Sequence, residues 1–265
     1  MTDCWILYDP SDLDKNEYFA RHLQECGRDL GMRTSIVTTD SIPKGQVPDA
    51  VVSRQRDWEL SARLEDAGAM VFNSSEVCRV CNDKSLTYDL MGEIGVPFLP
   101  YCFPGQSPVV PGPPWVVKSC YGHGGMEVAR AFNMEEVITT CLFMKGRKPI
   151  VQQYASDPGK DLRIYVLDGK VLASVMRRST VGFRANRSLG GTSELVEPPA
   201  DALEMVEKIV PVLKPDLVGI DFVFGDGKVF LNEVEDVVGT RMLYEHTDLD
   251  AARLLMEHVH SKMSL

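Results

Sequence analysis

Apolar positions in the first hundred residues change period repeatedly, marking strands and helices in alternation. Residues 4–8 (CWILY) form an unbroken apolar run that predicts a buried strand, ended by Asp9-Pro10-Ser11. Phe19, Leu23, Cys26 and Leu30 then recur at helical spacing, with Gly31 as the cap. Residues 34–38, 50–53 and 70–72 predict further strands, with a helix over 57–67 before the last. Strands separated by helices need crossover connections, so this region predicts a small α/β domain with a parallel sheet. A helix over 84–94 follows Asn82-Asp83 and stops at Gly95-Val96-Pro97. Residues 97–114 hold seven of the sixteen prolines and read as a linker with extended pieces, so a domain boundary is placed there.

Beyond the linker the period shortens to that of strands. Residues 115–119 (WVVKS) predict a strand ending in lysine, followed by a glycine-rich turn over 121–125 and a second strand over 126–129. Such a turn lets backbone N–H groups approach an anion, and a lysine at the strand end can neutralise phosphate charge. Neither the Walker spacing nor the Rossmann G-x-G-x-x-G is present. A helix over 134–144 and a buried strand over 149–155 come next. Residues 159–176 predict a hairpin turning at Asp168-Gly169, and a polar loop contains Phe183, Arg184, Ala185 and Asn186. Two helices, over 200–212 and 249–263, flank the last hairpin.

That hairpin, residues 217–235, carries the densest chemistry. Its β-branched and aromatic arms flank Gly225-Asp226-Gly227. With a three-residue loop, Phe224 pairs with Lys228, and Asp221 lies opposite Leu231 and diagonal to Glu233. Asp221, Val223, Val229, Leu231, Glu233 and Glu235 are then expected on one face. Three carboxylates this close raise one another's pKa and ask for a cation. With no His or Cys among them, a hard ion such as Mg²⁺ or Mn²⁺ suits them. A solvated acidic hairpin face is the other reading of the same residues.

Composition narrows the class. With 44% hydrophobic and 25% charged residues the chain is ordinary for a globular protein, and 265 residues bury a sizeable core. A formal net charge of -10 argues against nucleic acid or an anionic membrane as the main partner. No apolar run reaches the roughly 18 residues of a spanning helix, and Met1-Thr2-Asp3 lacks the basic start of a signal peptide. Seven cysteines, an odd number, fit a reducing compartment, so a cytoplasmic protein is expected. Cys78 and Cys81 form a lone C-x-x-C, read as two buried thiols on a helix rather than a zinc site.

In their order and spacing, six segments resemble the ATP-grasp superfamily, and within it the RimK-like glutamate ligases. They are NDKSLTYDLMGEIGVPFLP, PWVVKSCYGHGGMEV, VQQYASDPGKDLRIYVLDGKVLASVMRR, FRANRSLGG, VGIDFVF and LNEVED. The resemblance runs from about residue 82 to 250. It implies an α/β fold: an N-terminal parallel α/β (pre-ATP-grasp) domain over 1–97, then a two-lobed α+β ATP-grasp domain over 98–265. The smaller lobe would cover about 98–153 and the larger about 154–265.

By the same resemblance, ATP lies between the lobes. Lys84 and Lys118 would bind phosphates, the loop with Gly122, Gly124 and Gly125 would fold over them, and Gln152, Gln153 and Tyr154 would form the adenine hinge. Asp161 matches the ribose-holding acid, Arg184 and Asn186 phosphate- and metal-proximal positions, and Asp221, Glu233 and Glu235 the magnesium ligands. The family usually ends this hairpin in Glu-x-Asn, whereas here Glu235 takes the Asn position. The residues that follow are Val237-Val238-Gly239-Thr240-Arg241 where relatives often carry Ser-Pro-Gly.

The implied activity is ATP-dependent ligation of a small-molecule or peptide carboxylate to an amine through an acyl phosphate. Arg163 and Arg178 are expected to steady the charged intermediate, and Arg54, Arg56 and Arg241 are candidates for a substrate carboxylate. Phosphoryl transfer on the same fold and non-catalytic ATP binding are the alternative readings. The sequence names neither substrate nor oligomeric state.

Overall fold

The computed structural model describes residues 1–264 except 107–109, 126, 145, 180, 181 and 183–190. Its first unit is β1 (Asp3–Tyr8), α1 (Pro10–Asp29), β2 (Arg33–Thr38), β3 (Ala50–Arg54), α2 (Trp58–Asp66) and β4 (Met70–Phe72). The strands form a parallel sheet in the order β2-β1-β3-β4, as strand–helix alternation requires. Helices α3 (Ser75–Cys81) and α4 (Lys84–Glu93) follow, capped by Ser74 and Asp83. Cys78 and Cys81 are both buried on α3.

A four-stranded antiparallel sheet forms the smaller lobe, in the order β5-β8-β6-β7, from β5 (Tyr101–Cys102), β6 (Trp115–Ser119), β7 (Val128–Ala131) and β8 (Pro149–Gln153). Helix α5 (Met134–Phe143) packs on it. Of the strand expected over 126–129, residue 126 lies outside the described residues, and β7 spans Val128–Ala131. The Pro-rich stretch is only partly a free linker: Leu231 N–H donates to Pro97 O at 2.9 Å, and Phe98 pairs with Leu231.

The larger sheet has the order β11-β10-β9-β12-β13 and is antiparallel throughout. It comprises β9 (Asp157–Leu167), β10 (Lys170–Arg178), β11 (Thr192–Leu195), β12 (Leu217–Gly225) and β13 (Lys228–Glu235), with α6 (Ala200–Leu213) between β11 and β12. Helices α7 (Arg241–His246) and α8 (Ala251–Met263) close the chain; β11 and α7 had no expectation from the pattern. Alternation along the strands gives the sheet two different faces. Leu162, Ile164, Val166, Val218, Ile220 and Phe222 point to one side, buried with Ile209 of α6 and Met91 of α4. On the other, Tyr165, Leu167, Val175 and Leu217 join a core with β1, β3, α1 and α8. That core covers the second face over only part of its length. The part beyond the aliphatic core carries the buried charged side chains Asp161, Arg163, Arg177 and Asp221.

The final hairpin departs from the expected register. Asp226 (φ 51°) and Gly227 (φ 72°) make a two-residue turn, so Gly225 rather than Phe224 pairs with Lys228. The ladder runs Phe222↔Leu231 and then Asp221↔Glu233, which leaves Asn232 as an extra, bulged residue. The bulge reverses the alternation: Val229, Leu231 and Val234 all face the core, so Val229 and Leu231 do not share a face with the acids. Asp221, Glu233 and Glu235 remain together on the open side, with Asp221 directly opposite Glu233.

Phe222 is fully buried at this junction, whereas Phe230 is only partly so. Phe222→Ala is expected to cost about 3–5 kcal/mol in urea denaturation, and Phe230→Ala clearly less.

Candidate active site

Strand β9 holds the charged face together because each of its neighbours contributes a partner in register. Arg163 lies across from Asp221 on β12, and Asp161 across from Arg177 on β10. Arg163 donates from Nε to Asp221 Oδ1 and from Nη2 to Oδ2, both at 2.7 Å, a bidentate pair. Arg177 Nη2 donates to Asp221 Oδ2 at 2.6 Å, and its Nε donates to Asp161. Arg163 also reaches Glu235 Oε2 at 2.7 Å. Burial alone would raise the Asp221 carboxyl, but the two guanidiniums overcome it and hold the group down at about 2. Asp161, which shares Arg177 with Asp221, is pushed up by its burial, and Glu235 likewise.

The lysines approach from other elements. Lys84, the first residue of α4, places Nζ 3.0 Å from Glu233 Oε2 and donates to Gly122 O of the glycine loop. Lys118, at the end of β6, donates to Tyr88 Oη at 2.9 Å and to Asn232 Oδ1 at 3.1 Å. Burial, with Lys84 nearby, lowers its ammonium to about 7. Gly124 (φ 63°) and Gly125 (φ 71°) adopt the left-handed backbone that glycine tolerates, which turns the loop over these lysines.

Two cavities abut at this network. The first lies between the lobes, lined by Lys84, Lys118, Gly122, Gly125, Gln152, Gln153, Tyr154, Asp161, Asn232 and Glu233. The second, about 560 Å³, is lined by Lys15, Phe19, Arg54, Gly124, Arg163, Arg177, Glu235, Arg241 and Tyr244 among others. Residues two apart on one strand serve different cavities, Asp161 and Arg163 on β9 and Glu233 and Glu235 on β13. Buried Asp221 lines neither, but it accepts from Arg163 and Arg177 of the second cavity and lies across the ladder from Glu233 of the first.

Most sequence-derived candidates therefore converge, and the exceptions have physical causes. Arg178 is exposed and pairs with Glu194 at 3.2 Å, away from the network; Arg177 takes the inward place. An unbulged hairpin turning at Asp168-Gly169 would put residue 178 on the Asp161 face, but β10 carries an extra residue, Leu172, between Val171 and Ala173. Gln152 lines the first cavity, yet its side-chain N–H is spent on Leu99 O at 2.9 Å. Arg56 pairs with Asp12 and lies outside the second cavity, whereas Arg54 and Arg241 both line it. Arg54 is 6% exposed; its Nη2 donates to Val238 O and its Nε has no partner among the described residues. Arg184 and Asn186 lie outside the described residues. Sequence reasoning missed Arg177, Tyr88 and Asn232. Only Arg177 carried a signal, as the residue beside Arg178.

Comparison with known proteins places this arrangement. The family model of the RimK-like ATP-grasp domain matches residues 108–259. The chain belongs to the RimK-like ATP-grasp family. Beta-citrylglutamate synthase B of Danio rerio is 27% identical over 251 residues, covering 88% of this chain and 61% of its own length. The Glutamate--LysW ligase ArgX of Sulfurisphaera tokodaii is 29% identical over 228 residues, covering 80% of both chains. Among solved structures, D-alanyl-alanine synthetase A of Vibrio cholerae superposes with a TM-score of 0.77 at 15% identity, covering 100% of this chain and 99% of its own. The ATP-grasp ligase PsnB complexed with a minimal precursor gives 0.70 at 15% identity, covering 99% of both. These likenesses show the ATP-grasp fold. This family member thus spans about 61% of the length of one curated relative and 80% of another.

Two outcomes follow from the network. Asp221→Asn leaves two buried guanidiniums short of charge and is expected to destabilise the fold by about 3–5 kcal/mol, read by thermal or urea unfolding. Burial lowers the Lys118 ammonium to about 7, so a nucleotide phosphate bound beside it would draw a proton back onto it above that pH. Nucleotide binding should therefore take up a proton above pH 7, and affinity should fall with rising pH by up to about tenfold per unit. Titration calorimetry in buffers of different ionisation heat checks this, and Lys118→Met should abolish the uptake.

Proposed function

We propose that this chain is an ATP-dependent carboxylate–amine ligase, acting on a small amino acid or peptide through an acyl phosphate. The observation that carries the reading is two cavities linked through the Arg163–Asp221–Arg177–Asp161 charge network, one with lysines and a glycine loop, the other with arginines. ATP occupies the first in this proposal. Lys84 and Lys118 face its phosphates, the backbone of residues 152–154 faces the adenine, and Asp161 the ribose.

The residues present fit a divalent cation. Glu233 and Glu235 are each held by one cationic side chain, and Asp221 accepts three hydrogen bonds and so keeps one acceptor position. An all-oxygen donor set suits Mg²⁺, with Mn²⁺ as the other candidate. Such an ion, held by Asp221, Glu233 and Glu235, would supply charge neutralisation at the phosphates. The solved PsnB complexes include one with Mg and ADP, which supports this choice.

The chemistry then divides between the cavities. A substrate carboxylate oxygen attacks the γ-phosphorus, the bond to the β,γ-bridging oxygen breaks, and ADP leaves. The amine attacks the acyl carbon, phosphate departs, and the amine nitrogen loses a proton. Arg163 and Arg177, already aligned by Asp161 and Asp221, face the acyl phosphate as fixed positive charge and require no reorganisation. Arg54 and Arg241 hold substrate carboxylate in the second cavity. The named activities of relatives, citrylglutamate synthesis and glutamate ligation, support an amide-forming reaction.

The test is ADP release with panels of carboxylates and amines, and product mass. Stimulation by one pair, with a product lighter than the two by one water, is expected; a stable phosphorylated product or no stimulation by any pair overturns the reading. Arg177→Met should reduce turnover by about a hundredfold or more, the scale of one lost charge-stabilising donor, whereas Arg178→Ala should stay within a few-fold of the parent. Glu233→Gln should abolish Mg²⁺-dependent turnover while leaving the fold intact by circular dichroism.

A further inference from the structure

Away from the cleft, helix α1 carries His22 and Cys26 four residues apart, which sets both on one side of the helix. That side faces the start of α8, where Asp250 is the N-cap. The helices approach closely because position 27 is glycine: a Cβ there would lie 2.8 Å from Met256 Cε of α8. His22 Nε2 lies 2.8 Å from Asp250 Oδ2, and Cys26 Sγ is 3.9 Å from each ring nitrogen of His22. One ligand atom from each residue falls within 4.8 Å of the others.

We propose that His22, Cys26 and Asp250 form a binding site for a borderline-soft divalent metal ion, Zn²⁺ above all. A thiolate, an imidazole and a carboxylate with one open position form the donor set tetrahedral zinc takes. Ligand atoms about 2.0–2.3 Å from such an ion lie roughly 3.3–3.6 Å apart, so closing the 4.8 Å cluster takes side-chain shifts of about 1 Å, and the 2.8 Å His22–Asp250 pair opens by about half an ångström. Oδ2 is the available oxygen, because Oδ1 already accepts from Arg253 N and from Tyr244 Oη. The surroundings favour a cation: Asp250, Asp29 and Glu25 act on the Cys26 position against Arg253 alone. The approach is open on the His22 and Asp250 side, while Cys26 is buried behind them. As the ion enters, it takes the place of the His22–Asp250 hydrogen bond: the imidazole ligates through Nε2 and carries its N–H proton on Nδ1, and the Cys26 thiol releases its proton to solvent.

The site is chemically distinct from the acid cluster. Asp221, Glu233 and Glu235 offer only oxygen and select hard ions, whereas sulfur and imidazole nitrogen select zinc and its neighbours. Its position joins the N-terminal sheet unit to the last helix. Through Asp250 Oδ1 it also contacts Tyr244, which lines the second cavity.

The test uses Co²⁺ as a spectroscopic stand-in, titrated into the full chain with excess Mg²⁺ present to occupy oxygen-only sites. The expected result is one equivalent of Co²⁺ producing visible d–d bands of tetrahedral intensity and a near-ultraviolet thiolate-to-cobalt band, both bleached by one equivalent of Zn²⁺. Cys26→Ser should remove the thiolate band, and His22→Gln and Asp250→Asn should each weaken binding by about tenfold or more. Asn caps a helix as well as Asp, so Asp250→Asn keeps α8 intact and separates ligation from folding. No thiolate band in the parent protein, or an unchanged band in Cys26→Ser, overturns the assignment, as does unaltered affinity in both other variants.

Discussion

Arg163 and Arg177 gripping Asp221 is the interaction on which the rest of the cleft depends. Burying a carboxylate this deeply is unfavourable unless charge and hydrogen bonds return what water supplied. Here two guanidiniums do so, and each also pairs with a second acid, Glu235 or Asp161. The result is a fixed array of charge on a sheet whose opposite face is packed aliphatic core. Because β9 is the central strand, with ladders on both sides, the array is anchored from two directions. Preorganisation of this kind is what a site handling phosphate charge requires.

The same array explains how two cavities are kept apart yet in contact. Period-two alternation places residues two apart on the same face, displaced by about 6.6 Å along the strand. That displacement sends Asp161 and Glu233 to the interlobe cleft and Arg163 and Glu235 to the neighbouring one. Lys84 and Lys118 come from outside the large sheet and meet it at Glu233 and Asn232, so the small lobe and α4 are tied to the hairpin through charge. Glu235 pairs here with Arg163, which it shares with Asp221.

Much of this was legible in the residues alone. Strand–helix alternation in the first hundred residues, the glycine loop after Lys118, and the alternation of acids in the last hairpin each follow from local pattern, because period and turn chemistry are short-range properties. Seven strands and four helices of the N-terminal and small-lobe regions lie close to where periodicity put them, although α3 was anticipated only through its two cysteines. The C-terminal elements α7 and β11 carry too few periodic positions to stand out. Arg177 and Arg178 end the hairpin together, and local pattern favours Arg178 because the two differ only in which way the strand points them.

What the sequence by itself determined was the inventory: which acids and bases exist, on which strands, and near which glycine turns. What only the tertiary structure decided was their direction. Two bulges, at Leu172 and Asn232, each invert the alternation of a strand. One swaps Arg178 for Arg177 in the cleft, and the other returns Val229 and Leu231 to the core while keeping Glu233 and Glu235 beside Asp221. A bulge is set by how a strand must bend to pack on its neighbours. Local pattern carries no record of that bend, and so the inward and outward residues were settled by packing.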